Sequence, residues 1–301
     1  MMNFILDKSI YFSYDSSGHK RHKKSFTEQL DEIVVSNRTA LVTGGTSGIG
    51  LAVSRFLINK EIKTNVLGRT ERGLGSSDYL NFHSVDLSNL NKIMTLSKEI
   101  GDINYLVLNA GGMPENYTEA NVGFEQQFSS QVLGHYCLLR SLIDQQKLAK
   151  GARVVWTSSG GMYLVKYRSN LLKGSLESYD KVAVYANAKR AQLIVNDFIS
   201  QKYKDLEISF SVMHPGWVDT PGVRDAIPGF WNFTKNRLRS LDEGADTILW
   251  LLLTQNEIPS GEFWFDRSRQ KKVAFPWTHN SNEEREDLYN LCEATYQSLE
   301  K

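Results

Sequence analysis

Tyr185 and Lys189 stand four residues apart in a stretch whose spacing predicts a helix running to about Gln201, so the two side chains share one face. A phenol titrates near ~10 and is a poor base at neutral pH, but an ammonium beside it favours the phenolate and brings that value down. The pair can therefore pass a proton. Pairs of this spacing also occur by chance on helix surfaces, and this one gains weight only from its company. Ser159, at the end of the predicted strand Val154-Val155-Trp156-Thr157, has a hydroxyl that can hold a substrate oxygen against the phenol. Ser158 is adjacent and carries the same group, although the register of the strand favours Ser159. These residues suit proton transfer at a substrate oxygen.

A second constellation lies upstream. The apolar run Thr39-Ala40-Leu41-Val42 leads into Thr43-Gly44-Gly45-Thr46-Ser47-Gly48-Ile49-Gly50, and an amphipathic stretch follows from Leu51 to Ile58. A strand that enters clustered glycines and then a helix brings bare backbone against a phosphate, where the helix N-terminus offers unpaired N–H groups and partial positive charge. This predicts a dinucleotide site. The next strand, Ile62 to Leu67, ends at Gly68-Arg69-Thr70 without an acid at its tip. A carboxylate there would accept a ribose 2′-OH, whereas an arginine pairs with a 2′-phosphate, so Arg69 favours NADP(H), with NAD(H) possible. Asp86, closing the strand Asn81 to Val85, can reach an adenine amino group or serve as a turn acid.

The elements that must position these residues follow in order. Ser88 is the expected N-cap of a helix to about Ile100; Tyr105 to Leu108 is a strand ending in Asn109-Ala110-Gly111-Gly112. Phe124, Phe128, Val132, Leu133, Tyr136, Leu139 and Leu142 mark the core face of a long helix from about Gly123 to Lys147. Tyr163 to Asp180 reads as a polar, loop-like insert. A strand from Ile208 to Met213 delivers His214-Pro215-Gly216-Trp217-Val218-Asp219-Thr220, and Ile227, Pro228, Phe230, Trp231 and Phe233 give Pro221 to Thr234 more apolar area than a bare loop needs. A helix from about Asp242 to Leu253, a last strand near Glu262 to Phe265 and a helix from about Asn282 to Leu299 complete the chain. Strands alternating with helices imply right-handed crossovers and a parallel sheet. The expected fold is α/β, a three-layer doubly wound Rossmann arrangement in one domain (38–270, with a substrate lid at about 221–235). An N-terminal arm (1–37) and a C-terminal extension (271–301) flank it.

Composition sets the remaining limits. The 301 residues carry a net charge of +1, which gives no general reason to expect nucleic acid as a partner. Cys137 and Cys292 lack the paired spacing of a zinc or redox motif, and a reducing cytoplasm is the expected location. The start is too short in apolar residues for a signal peptide, and no window approaches the ~20 apolar residues of a membrane span. His135, His214 and His279 have no ligand spacing, so no metal is expected. The arm holds two aromatic-apolar clusters, Phe4-Ile5-Leu6 and Ile10-Tyr11-Phe12, and the basic run His19-Lys20-Arg21-His22-Lys23-Lys24, best read as a solvated arm over the domain.

Taken together, Gly44/Gly48/Gly50, Asn109-Ala110-Gly111, the serine after the fifth strand, Tyr185-x-x-x-Lys189 and Pro215-Gly216 resemble the short-chain dehydrogenase/reductase family over about residues 38 to 265. Val132-Leu133-Gly134-His135 and the run from Pro215 to Val223 look like its retinol-dehydrogenase-like branch. The resemblance implies that Tyr185 is the acid/base, that Lys189 lowers its pKa and binds the nicotinamide ribose, and that Ser159 orients the carbonyl. Thr43, Gly44, Ser47, Gly48, Ile49 and Gly50 would line the pyrophosphate and Arg69 the 2′-phosphate. Asp86 and Leu87 would face the adenine; Asn109, Ala110 and Gly111 the adenosine side; Pro215, Gly216, Val218 and Thr220 the nicotinamide amide. One position departs from the family's pattern: Gln131 stands where an asparagine usually supports a water-linked proton path to the lysine. The resemblance also implies a small carbonyl or alcohol substrate, an apolar one given the lid, and a possible homo-oligomer. The competing reading is a cofactor-binding sensor or interaction protein without turnover, for which Gln131 is the support; a nucleotide-sugar epimerase shares the Tyr/Lys pair but not the branch-specific stretches.

Overall fold

The computed structural model describes residues 10–173 and 176–300; the Phe4-Ile5-Leu6 cluster and two residues of the insert, Gly174 and Ser175, lie outside them. Eight strands form one sheet: β1 (Thr39–Thr43), β2 (Lys63–Gly68), β3 (Leu80–Ser84), β4 (Ile103–Leu108), β5 (Leu148–Thr157), β6 (Ser209–Met213), β7 (Phe263–Phe265) and β8 (Ser268–Gln270). Their order is β3-β2-β1-β4-β5-β6-β7-β8. The first seven run parallel and β8 returns antiparallel to β7. The chain winds outward from β1 through β2 to β3, then crosses back to place β4 on the other side of β1. Ligands of such sheets bind at this reversal, beyond the carboxyl ends of the strands.

The helices are α1 (Ile10–Tyr14), α2 (Ser16–His22), α3 (Gly48–Asn59), α4 (Leu90–Glu99), α5 (Gln126–Phe128), α6 (His135–Asp144), α7 (Lys181–Lys202), α8 (Pro221–Ala226), α9 (Pro228–Thr234), α10 (Leu241–Leu253) and α11 (Asn282–Leu299). Strands covered on both faces need apolar residues on both, and β1 shows how they are shared out. Ala40 and Val42 pack with Val53 and Leu57 of α3 and Ile248 and Leu252 of α10; Leu41 faces the opposite core, with Leu139 of α6, Leu193 of α7 and Tyr296 of α11. The sheet is thus the middle of three layers.

Several boundaries differ from the sequence expectation. Helix α4 is capped by Asn89, whose side chain accepts the Lys92 N–H; Ser88 is held instead by Asp86. The long middle helix begins at Gln126 rather than Gly123, capped by Glu125, and ends at Asp144. Between α5 and α6, Ser129–Gly134 is wound as a π-helix. The edge strand β8, Ser-Arg-Gln and wholly exposed, has no apolar pattern by which it could be read. The insert is not a free loop: it is a series of 3₁₀ turns that bury Tyr163, Tyr167 and Leu172. The basic run is divided, with Lys20, Lys23 and Lys24 exposed and His19 buried in the domain. The expected lid segment is two short helices, each with proline in its first turn and with Phe233 largely exposed.

Candidate active site

At the end of β1 the chain turns with Gly44 at φ 65° and Gly48 at φ 54°, conformations that a side chain disfavours. Gly50 is needed for a different reason. A Cβ there would lie 2.3 Å from the Gly44 carbonyl oxygen and 2.5 Å from Asn109 Nδ2, so only glycine lets α3 start this close to the loop. Ser47 caps α3 through its backbone position alone; its hydroxyl makes no capping bond, which leaves the hydroxyl and the first-turn N–H groups available to an anion. Thr220 closes the opposite side, its Cγ2 3.5 Å from where a Gly48 Cβ would be.

Thr43 is the hub that ties this loop to β4. Its hydroxyl oxygen accepts the N–H groups of Asn109 (2.9 Å) and Ala110 (3.1 Å) and lies 2.8 Å from His135 Nε2. His135 Nδ1 is 2.9 Å from the Gln131 carbonyl oxygen, which can only accept, so Nδ1 carries the proton and Nε2 receives the one from Thr43. Full burial, with Lys189 nearby, drives the His135 pKa down to about 3 and keeps the ring in this neutral form. Asn109 uses its amide on the Thr43 carbonyl (3.2 Å), so its side chain holds the glycine loop in place. His135, set aside in the sequence as an unsupported metal ligand, is in fact part of the frame behind the glycine loop. Only its place in Val132-Leu133-Gly134-His135 hinted at that.

The π-helical turn presents Gln131. Its carbonyl, released from the regular ladder, also accepts the Gln192 amide at 2.9 Å, while its own Nε2 donates to the Gly112 carbonyl at 2.8 Å. Gln131 Oε1 is buried without a partner among the described residues. It lies 2.9 Å, and Lys189 Nζ 3.3 Å, from the point a Gly111 Cβ would occupy, so the amide oxygen and the ammonium border the same small space.

The chemistry residues meet where β5 ends and α7 passes. Ser158 is buried and donates to the Lys189 carbonyl at 3.0 Å, which turns its hydroxyl away from any substrate. Ser159 accepts the Gly161 N–H at 3.3 Å, and its hydroxyl is near enough to the Tyr185 phenol to pull that group's pKa down. Lys189, almost fully buried, donates to the Thr157 carbonyl at 2.8 Å and sits 5.4 Å from the centroid of the Tyr185 ring. Burial dominates both titrations. It pushes the phenol up to about 12, against a smaller downward pull from Ser159, and pushes Lys189 down to about 7. In this arrangement burial outweighs any lowering of the phenol pKa by Lys189, whose ammonium donates to the Thr157 carbonyl.

The remaining candidates are distributed around this centre. Arg69 is exposed directly after β2, with no carboxylate paired to it among the described residues. Asp86 holds Ser88 through its backbone N–H (2.8 Å) and hydroxyl (2.7 Å), the turn-acid arrangement. The Leu87 carbonyl comes so close to the middle helix that a Cβ on Gly134 would be 2.2 Å from it. Pro215, Gly216 (φ 78°) and buried Val218 follow β6, and Val218 bridges to Arg239. His214 is stacked on Phe265 with ring centroids 4.2 Å apart, and His279 is exposed. An open surface cavity of about 540 Å³ lined by Glu71 to Ser77, Leu80 and Phe82 contains none of the candidate catalytic side chains.

The doubly wound sheet and this site define a class, and the comparisons agree. Residues 38–228 match the profile of the short chain dehydrogenase family, and the chain belongs to the short-chain dehydrogenase/reductase family, oxidoreductases that act on CH–OH groups with NAD(H) or NADP(H). It is 33% identical to dehydrogenase/reductase SDR family member 12 of Homo sapiens over 303 residues, which covers 95% of each chain. Retinol dehydrogenase 12 of Mus musculus is 25% identical over 267 residues, covering 80% of this chain and 84% of the relative, and supports the retinol-dehydrogenase-like branch. A short chain dehydrogenase family protein of Francisella tularensis subsp. tularensis SCHU S4 shares the fold with a TM-score of 0.62 at 20% identity, covering 76% of this chain and 96% of that one. Among the described residues no helix is long and apolar enough to cross a membrane.

Proposed function

We propose that this protein reduces a carbonyl, or oxidises the matching alcohol, on a small apolar substrate with NADP(H). The observation that carries the reading is the meeting of Ser159, Tyr185 and Lys189 at the end of β5. The loop of Gly44 to Gly50 lies at the nearby switch point. A nicotinamide dinucleotide fits these residues: the α3 amides and Ser47 are free for the pyrophosphate, and Arg69 is free for a 2′-phosphate. When bound, the cofactor supplies or accepts the hydride, so the chain's own work is positioning and proton supply.

With its pKa near 12 the Tyr185 phenol is protonated at neutral pH, the state that donates to a carbonyl oxygen during reduction. Ser159 donates to the same oxygen and holds it there. Lys189, near 7, is poised to take up and return a proton, and the unpartnered Gln131 Oε1 beside it would anchor a water that links the ammonium outward. In this way a glutamine takes the place of the family's asparagine. The aromatic residues of α9, Phe230, Trp231 and Phe233, favour an apolar substrate. The residues proposed for the cofactor's other contacts, from Thr43 to Thr220, keep the assignments implied by the family resemblance.

The test is a fluorescence titration of NADPH and NADH on wild type and Arg69→Ala, followed by turnover with apolar aldehydes and ketones. Expected are tighter NADPH than NADH binding, a preference that falls on the order of tenfold in the variant, and turnover that Tyr185→Phe removes without loss of binding. NADPH binding with no turnover of any carbonyl would replace this reading by the cofactor-binding sensor.

A further inference from the structure

The catalytic edge is flanked by a segment more than 140 residues away in sequence. α1 and α2 lie against the ends of β6 and β7. The Tyr14 ring packs edge-on against His214 (4.4 Å between centroids), Phe265 (5.1 Å) and Trp217 (6.2 Å). The Tyr14 carbonyl accepts the Trp217 N–H at 2.8 Å. Arg239, fully buried, ties the segment down: its guanidinium donates to the carbonyls of Ser13 (3.0 Å), Tyr14 (2.9 Å) and Asp15 (3.2 Å) and to that of Pro215 (3.2 Å). It also pairs with both oxygens of Asp266 (2.6 and 2.8 Å). Three of these carbonyls belong to the segment, so a guanidinium that could not otherwise be buried is satisfied only with the segment docked.

Two glycines record the contact. Gly160, next to Ser159, has no left-handed φ, and its backbone would accept other residues; what excludes a side chain is Tyr14, whose Cε2 would stand 2.5 Å from a Cβ there. At Gly216 a Cβ would lie 2.7 Å from the Tyr14 carbonyl oxygen and 2.4 Å from Arg239 Nε. One residue thus bears on both sides of the proposed reaction centre: its ring on the turn that carries the carbonyl-orienting serine, its backbone on the loop proposed for the nicotinamide amide.

We propose that the segment from Ser13 to Asp15 is a positioning element of the active site, with Tyr14 setting the Ser159-Gly160 turn and the Gly216-Trp217 loop relative to each other. This rests on the oxidoreductase reading for its kinetic consequence, though not for its structural one. The ring does the work. No hydrogen bond from the phenol hydroxyl is needed, so phenylalanine should serve as well as tyrosine. Ser159 acts only if its hydroxyl meets the substrate oxygen within a fraction of an ångström, and misplacement by about 1 Å costs on the order of a hundredfold in rate.

The experiment compares full-length wild type, Tyr14→Phe, Tyr14→Leu, Gly160→Ala and the Tyr14→Leu/Gly160→Ala double variant. The readouts are NADPH affinity, kcat and KM for a carbonyl that the wild type reduces, and amide exchange at residues 159–161 and 216–218. Tyr14→Phe should match wild type. Tyr14→Leu and Gly160→Ala should each lower kcat by roughly tenfold to a hundredfold, with NADPH affinity within about threefold of wild type and faster exchange in both loops. The double variant should be no worse than the poorer single one, because the leucine makes room for the added methyl. A lower melting temperature with kcat and exchange at wild-type levels, or two losses that simply multiply, would overturn the proposal. If the wild type reduces no carbonyl, the oxidoreductase reading is what fails; loop exchange then decides alone, and unchanged exchange in Tyr14→Leu sinks the positioning role as well.

Discussion

The two halves of the site are built in opposite ways. The proposed cofactor half, from Thr43 to Gly50 with Asn109 to Gly111, is assembled mainly by backbone: tight turns, open amides and close approaches that only glycine permits. The other half, around Pro215 to Thr220, is assembled by charge and aromatic packing. Arg239 and Asp266 form a buried pair, and rings from the N-terminal segment, β7 and α9 close over it. The first kind of site is written mostly in one short run of residues, which Thr43 ties to Asn109 and Ala110 at the end of β4. The second depends on residues up to 226 positions apart, and its failure should propagate further.

Breaking the charged half should therefore cost most. Asp266→Ala leaves a fully buried guanidinium without its counter-ion, and loss of one partner of such a pair costs about 3–5 kcal/mol. Urea denaturation should show it as a lower midpoint, with residues 13–15 losing exchange protection first; stability within about 1 kcal/mol of wild type would show the pair to be dispensable. Acid should mimic the substitution. Burial pushes the Asp266 carboxyl up, but the hydrogen bonds from His22 and Arg239 together outweigh it and hold the group at about 2. A depressed carboxylate stabilises the fold above its unfolded value near ~4, and that contribution is lost as pH falls through about 2.

In the backbone half the matching change is Gly50→Ala. The added methyl meets the Gly44 carbonyl at 2.3 Å, and backbone cannot rotate away as a side chain can. Overpacking of this kind costs about 1–3 kcal/mol, and calorimetry should find a smaller loss than for Asp266→Ala. The damage should show in binding instead: NADPH titration should lose at least tenfold in affinity, since the loop must shift where the pyrophosphate is proposed to sit. A variant that binds NADPH as wild type does would mean that this loop is not the cofactor site.

How much the sequence disclosed follows the same division. The parallel sheet, the glycine turn and the shared helix face of Tyr185 and Lys189 rest on local patterns, apolar runs alternating with helical stripes, a spacing of four and glycines at fixed offsets, and these were legible. Asn109 was legible as a residue of the site but not in its role, because its bond to the Thr43 carbonyl spans 66 positions. Tyr14 carries no local signal at all; it stands two residues beyond the Ile10-Tyr11-Phe12 cluster, and nothing marks it until Gly160 and Trp217 are placed beside it. The π-turn at Gln131 was hidden for a different reason. Its apolar stripe reads as regular helix, and the extra residue in the turn shows only in where the Gln131 carbonyl goes, to His135 and Gln192.

Lys189 lies between the halves, and its titration separates what it does for the fold from what it does for the reaction. Burial lowers its pKa to about 7, whereas the unfolded chain holds that proton up to about 10.4. Below 7 both states are charged and the folded one bears the full cost of a buried ammonium; as pH rises from 7 toward 10.4 the unfolded state keeps the extra proton and the cost is relieved. Lys189→Met should accordingly be more stable than wild type at pH 6, by about 1 kcal/mol once the lost bond to Thr157 is set against the relieved burial. The gap should narrow by pH 10. The same variant should lose nearly all turnover, and wild-type reduction should decline above pH 7 as the lysine gives up the proton that the proposed relay returns to Tyr185. A Lys189→Met protein less stable than wild type at pH 6 would mean that the lysine is held by an anionic neighbour rather than strained by burial, and the phenol would then need a different source of its proton.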